Sequence, residues 1–325
     1  MKLHKKGFAP ALFKWIFAVI AGALILVFLM SFVFKQQGTA DTLDERKLVI
    51  GLEHQLEALA TTDVASKTLP LKRETTLNFD CDGIASKTYR KSTGKVLFAA
   101  PQLKGNILHT WVRQWEFPFR AGTFYYVTNK NIRTLLIFDT TTLNFVRDLT
   151  IPQTFNTQLM DVSKFSATQL LGSVRGLDTF NLIFFAPLTD AEQLLQQFQG
   201  VNINLVEVNI KTKEVTITTT INTEETYYLG ESMLYGLLFA PENYVCLKDK
   251  ALERHKDLLG LYEQKVTLLI PKLSTQPQCQ ALLGEAQKLL RTYRTAQENK
   301  PLHDHAKALT QQNENLAKND CPTIY

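Results

Sequence analysis

The stretch 181-NLIFFAPLTDAEQLLQQFQGVNINLVEVNIKTKEVTITTTI-221 decides how the chain is read. It opens on a bare apolar run, Asn181 to Phe185, closed by Ala186 and Pro187. Thr189 and Glu192 follow three residues apart, the spacing of a capping box in which side chains satisfy the first free N–H groups of a helix. A helix to Gln199 is predicted from them. Val201 to Ile210 and Glu214 to Ile221 then form two strand-like runs about Lys211, Thr212 and Lys213, which predicts a hairpin. Strand, tight loop, helix and hairpin in that order predict a mixed sheet with helices on it, an α+β domain.

On the N-terminal side of that stretch, strands are predicted over 71–79, 86–91 and 95–99, with a Cys-Asp-Gly turn at 81–83. A helix is predicted over 104–116, because Leu108, Trp111, Val112 and Trp115 share one helical face. Strands at 123–128 and 132–139 flank Asn129-Lys130-Asn131, a second hairpin signal. Residues 162–171 read as a helix ending at Gly172. On the C-terminal side Met233 to Phe239 reads as a buried strand. Phe98-Ala-Ala-Pro101, Phe185-Ala-Pro187 and Phe239-Ala-Pro241 each close an apolar strand before a helix, a repetition that proline at an early helical position explains. From Asn243 onward the pattern is helical, over 243–270, 278–297 and 302–318, punctuated by Pro271, Pro277 and Pro301. A mixed domain over 71–241 is thus followed by a helical hairpin or bundle over 242–325.

The N-terminal region has another character. Residues 15–34 carry no charge, and at 1.5 Å per residue they match the roughly 30 Å hydrocarbon core of a bilayer. They predict a transmembrane helix, with Lys14 and Trp15 at one interface and Lys35 at the other. Lys2, Lys5, Lys6 and Lys14 precede it and no acid does before Asp41, so residues 1–14 are expected to be cytoplasmic and the mass of the chain extracytoplasmic. A twenty-residue apolar core is too long for a signal peptide cut after Ala40, so a signal-anchor is the better reading. Residues 35–70 read as a stalk helix, 41–59, followed by a linker. The stripe Leu43, Ile50, Leu52, Leu56 and Leu59 is suited to packing on the domain or on a second copy.

The formal charge of +5 belongs to that anchor. Residues 1–35 hold five lysines and no acid, so the 36 basic and 31 acidic groups of the chain leave residues 36–325 neutral. Nucleic-acid binding, which needs clustered cations, is excluded on that ground. Cys81, Cys246, Cys279 and Cys321 all follow the apolar segment, an even count suited to disulfides outside the cytoplasm. If the three C-terminal helices run up and down, Cys279 lies near Cys321, and Cys246 follows directly on the sheet. Bridges Cys279–Cys321 and Cys81–Cys246 are therefore predicted. No Asn-x-Ser/Thr sequon occurs.

Few residues suggest chemistry. His303-Asp304-His305 is dense in metal ligands, but residues two apart on a helix face different sides, so a solvated first turn is expected. Asp80-Cys81-Asp82-Gly83 lacks the later ligands of a calcium loop and reads as a tight turn. His109, Trp111, Trp115 and Glu116 open the most aromatic stretch of the chain, which reads as core first and as a pocket second. No nucleophile elbow, phosphate loop, dinucleotide fingerprint or zincin motif is present. No cofactor or metal is expected. A hydrolase would need its residues, such as His109, Glu116 and Asp139, to converge in space.

The opening Lys-Lys-Gly-Phe-Ala-Pro-Ala-Leu-Phe-Lys-Trp-Ile-Phe, running on into the apolar segment and Asp41, resembles uncharacterised single-pass membrane proteins of small-genome archaea over the first sixty residues. The resemblance implies a cell-envelope setting and no activity. Lys5, Lys6, Gly7 and Phe8 also resemble a type IV prepilin junction, although Leu12 stands where that family has an acid and Lys14 interrupts the apolar run. The expected function is an extracytoplasmic binding or cell-envelope scaffold module. Its expected partners are the lipid bilayer and, through helix 41–59, a protein or a second copy. The alternatives are a pilin-like filament subunit and a membrane-anchored hydrolase.

Overall fold

The computed structural model describes residues 9–166, 176–188, 202–219, 222–296 and 299–325, with positions 170, 174, 194, 196 and 198. For 9–14, 32–42 and 299 only the backbone course is described. The chain completes one six-stranded sheet before starting another. The first holds β1 (Val64–Phe79), β2 (Gly83–Ala85), β3 (Arg90–Ser92), β4 (Val96–Ala99), β5 (Gln102–Glu116) and β6 (Arg120–Thr128), in the order β3-β2-β1-β5-β6-β4. It is antiparallel except where β4 runs parallel to β6. The second holds β7 (Ile132–Phe138), β8 (Thr157–Asp161), β9 (Thr179–Phe184), β10 (Ile203–Val208), β11 (Glu214–Thr218) and β12 (Thr223–Tyr227), in the order β12-β11-β10-β9-β7-β8. Its β8-β7-β9-β10 part is parallel, and β10-β11-β12 is antiparallel.

The helices are α1 (Ala9–Leu59), α2 (Leu143–Asp148), α3 (Glu231–Phe239), α4 (Tyr244–Leu269), α5 (Pro277–Thr295) and α6 (Asn299–Lys318). Helix α3 sits between the sheets, and every residue from Ser232 to Phe239 is buried. A helix apolar on all sides can only be stable there. Its first turn is tied to the first sheet: Tyr126 Oη donates to the Ser232 carbonyl at 2.6 Å, and Ser232 Oγ donates to the Gln114 carbonyl at 2.7 Å. Its last turn is tied to the second, where Asn181 Nδ2 and Thr134 Oγ1 donate to the Leu238 carbonyl at 3.2 and 3.3 Å. These bonds satisfy a helix-end carbonyl that has no intrahelical partner. Gly236 permits the close approach, since a Cβ there would lie 2.4 Å from the Phe98 ring.

The residues from 43 to 59 of α1 cover the other face of the first sheet, where Val49, Leu52 and Leu56 pack with Leu69, Leu77 and Leu103. Of the stripe expected for this segment, Leu52 and Leu56 are buried and Leu43 is exposed. The outer face of the second sheet buries Phe180, Leu182 and Phe184 with Leu194 and Phe198. Helices α4, α5 and α6 join the core shared by both sheets, with Leu259, Leu283, Leu290 and Leu309 contributing to the same cluster as Trp111 and Phe239.

Several expectations are corrected. Residues 104–116 form strand β5, not a helix. Trp111 and Trp115 face α3 while Leu108 and Val112 face α1, so a strand buried on both sides imitates helical spacing. Residues 233–239 are helical rather than extended, because a helix apolar all round carries no 3.6-residue pattern. The two flanks of Asn129-Lys130-Asn131 do not pair with each other; that turn carries the chain from one sheet to the next. Strand β1 begins at Val64, inside the expected linker, and Pro101 leads into a strand rather than a helix. Of the helix expected at 162–171, Val162–Lys164 form only a 3-10 turn that ends at Phe165, and most of the remainder lies outside the described residues, as does most of the helix expected at 189–199.

The largest correction concerns the fold as an α+β domain with an N-terminal transmembrane helix. Among the described residues no helix is long and apolar enough to cross a membrane. The side chains of Lys14 and Lys35, the expected interface anchors, lie outside the described residues. Trp15 is 75 % exposed, and Phe17, Leu24 and Phe28 are exposed with it. Helix α1 also runs through residue 35 without a break.

Candidate functional site

The residues first suspected of chemistry do not gather. His109 stands at the middle of β5 and Glu116 at its end, seven residues apart, which is about 23 Å at strand spacing. The His109 ring meets Thr68 Oγ1 at 3.1 Å, and burial lowers its pKa. Glu116 is exposed, and Trp111 and Trp115 are core. Asp139 accepts from the backbone N–H groups of Thr141 and Thr142, both at 2.9 Å, as a turn residue does. Among the described residues no group of three metal-ligating side chains occurs.

The cysteines do come together. Cys81, in the turn after β1, is bonded to Cys246 in α4, and Cys279 at the start of α5 is bonded to Cys321 beyond α6. No cysteine is free. Lys250 reinforces the first bridge by donating to the carbonyls of Cys81 and Thr93, each at 2.9 Å.

A cleft of about 550 Å³ between α1 and β1 is lined by Lys47, Lys67, Lys72 and Arg73. Two of its charged groups are engaged: Lys67 donates to Gln55 at 2.9 Å, and Glu45 beside it accepts from Thr88 and Ser86. Two other hollows, of about 510 and 380 Å³, meet at Leu149 beside the N-terminus of α3. Between them stands a closed polar group. Arg113 meets Glu231 at 3.1 Å, Tyr235 Oη donates to the same carboxylate, and the Thr150 N–H donates to Tyr235 Oη at 2.9 Å. The Arg113 guanidinium also lies over the Trp111 and Tyr235 rings, at 5.5 and 4.8 Å.

The smaller hollow is built by six separate elements, among them α3, which gives Glu231 and Leu234. The β10–β11 hairpin gives Lys213, the segment after β12 gives Tyr228 and Gly230, and α6 gives His303. Phe145 of α2 and Phe117 of the β5–β6 turn close it. Lys213 holds φ = 64°, a left-handed conformation costly for a residue with a side chain. Its N–H donates to the Asn209 carbonyl, and its carbonyl accepts from the Tyr228 N–H. The ammonium thereby sits 5.4 Å from the Tyr228 ring centroid and 5.8 Å from that of Phe145.

Polar groups in this hollow lack partners. Tyr228 is only 2 % exposed and its hydroxyl has no hydrogen-bond partner; His303 Nε2 is likewise buried without one. Lys213 makes no ion pair among the described residues. Burial lowers the Lys213 pKa and raises that of Tyr228. Burial also lowers that of His303, opposed by the Tyr228 backbone carbonyl. The expectation of a solvated first turn at 303–305 therefore fails at His303, whose ring packs edge-on against Phe117 at 5.0 Å, while Asp304 is exposed. Such an arrangement offers hydrogen-bond donors to a guest inside an apolar wall.

No known family, no curated protein and no solved structure matches the chain.

Proposed function

We propose that this protein is an extracytoplasmic binding module of the cell envelope, with the hollow beside the N-terminus of α3 as its binding site. The observation that carries the reading is the pair of disulfides with no free thiol, since such bridges persist outside the reducing cytoplasm. The exposed apolar flank of α1 supports a lipid bilayer as its partner, because contiguous apolar surface of that extent is not left in water. Alkylation of the native protein, followed by reduction and mass mapping, tests the compartment: both cystines intact supports it, and four alkylated thiols sinks it.

A second reading, a pilin-like filament subunit, is favoured by α1 itself. One unbroken helix of 51 residues has an exposed apolar N-terminal part, while residues 49–56 pack on a largely antiparallel sheet. In a filament the apolar part would pass from lipid to the helices of other copies. N-terminal sequencing of the native chain separates the two. A start at Phe8 favours the filament, and a retained Met1 or Lys2 removes it.

A further inference from the structure

The hollow lined by Lys213, Tyr228 and His303 has a chemistry that narrows its guest. We propose that it binds a small monoanionic molecule with an apolar body, whose carboxylate is received by Lys213 Nζ and Tyr228 Oη. The inference rests on the binding-module reading and adds the class of ligand.

Three independent observations converge. Tyr228 is almost wholly buried in the wall of the hollow, and its hydroxyl donates to nothing there. A buried hydroxyl without a partner costs free energy that a bound acceptor would return. Second, the first turn of α3, opened by Gly230 at φ = 81° with no side-chain cap, adds a helix N-terminus to the same wall. Third, Lys213 is held in its left-handed conformation by bonds at both ends, its ammonium lies over the Tyr228 and Phe145 rings, and it has no carboxylate within ion-pairing distance among the described residues.

The charge of the guest follows from what surrounds it. One ammonium matches one negative charge. Glu231 lies beside the hollow, but its carboxylate is already engaged by Arg113 and Tyr235. Asp148 is exposed at the rim, so a second negative charge on the guest would meet repulsion there. A dianion such as a phosphate monoester is thereby disfavoured. The remaining wall, Phe117, Phe145, Leu149 and Leu234, has no charge to offer and suits an apolar or aromatic body within about 380 Å³.

The test is calorimetric titration of the full chain, kept in a nonionic detergent, with 3-phenylpropionate and with its uncharged amide. The amide controls for partition onto the apolar flank of α1. The expected result is saturable binding of the carboxylate and about ten- to hundredfold weaker binding of the amide, the loss typical of a charge-assisted hydrogen bond. Lys213→Met and Tyr228→Phe should each weaken the carboxylate by at least about tenfold. Lys67→Met, in the cleft under α1, should leave it unchanged. Equal binding of carboxylate and amide, or unchanged affinity in both Lys213→Met and Tyr228→Phe, overturns the anion assignment and leaves the binding module standing. No saturable binding up to millimolar carboxylate overturns the assignment as well. Reduced thiols in the native protein would defeat the envelope reading without bearing on this titration.

Discussion

Two polar clusters flank the first sheet, and they are built on opposite rules. Beneath α1 every buried charge is answered. Glu45 accepts from Thr88 N–H at 2.6 Å and from Thr88 Oγ1 and Ser86 Oγ, while Glu53 is paired with Lys91 and Lys95, and Lys95 reaches on to Glu57 at 2.8 Å. Burial raises the pKa of both Glu45 and Glu53, and their hydrogen bonds and neighbouring cations more than offset it, so both stay low. At the N-terminus of α3 the Tyr228 hydroxyl and His303 Nε2 have no partner, and Lys213 has no counter-charge among the described residues. The difference teaches that the first cluster fastens a helix to a sheet, whereas the second keeps its donors for something that arrives from outside.

The largest effect expected is at the bridge anchored beside the first cluster. Replacing Cys81 and Cys246 by Ser opens a loop of 165 residues, which loop-closure entropy values at about 5 kcal/mol, against about 4 kcal/mol for the 42-residue loop of Cys279–Cys321. Denaturant unfolding of the two double variants checks both the size and the order.

Next comes a contrast between two histidines that share Phe117 as a neighbour. His255 Nε2 donates to the Phe117 carbonyl at 2.6 Å, and burial pushes its pKa down to about 4. Between that value and the unfolded value near 6.5 the unfolded chain binds the extra proton, so stability falls as pH falls through this window. The loss should approach the order of 3 kcal/mol by about pH 4. Unfolding free energies at pH 7, 5.5 and 4.5 check it, and His255→Phe should flatten the slope. Glu45 and Glu53 act lower, since depressed carboxylates lose their contribution only as pH falls below the unfolded carboxylate range.

Breaking the paired cluster directly is a smaller step. Glu53→Gln leaves Lys91 and Lys95 without their shared counter-charge and should cost about 2 kcal/mol, below the full price of a dry buried pair because Lys91 stays partly exposed. The smallest effect belongs to the second cluster. Lys213→Gly should stabilise by about 1 kcal/mol, since glycine adopts the left-handed conformation freely. Thermal unfolding of the variant checks the sign.

What was legible in the sequence follows the range of its signals. The three C-terminal helices and the hairpin of β10 and β11 rest on proline punctuation and period, which are local, and both disulfides follow from where those helices start and stop. Strand β5 and helix α3 were misread for one reason. Each is buried on more than one side, so its pattern reports burial and not secondary structure. The site was illegible because Lys213, Tyr228 and His303 come from elements far apart in the chain, and each is ordinary where it stands. Lys213 was visible only as one residue of a hairpin turn. Its left-handed φ belongs to the folded state.

The contrast between the clusters is tested most directly by the unfolding free energy of Lys213→Met without ligand, measured beside Glu53→Gln. A side chain kept for a guest contributes nothing to the empty fold, so Lys213→Met should match the parent chain or exceed it by up to about 1 kcal/mol while Glu53→Gln falls. A loss of about 2 kcal/mol or more in Lys213→Met would mean that the lysine holds the fold together, and the distinction between the two clusters would fail.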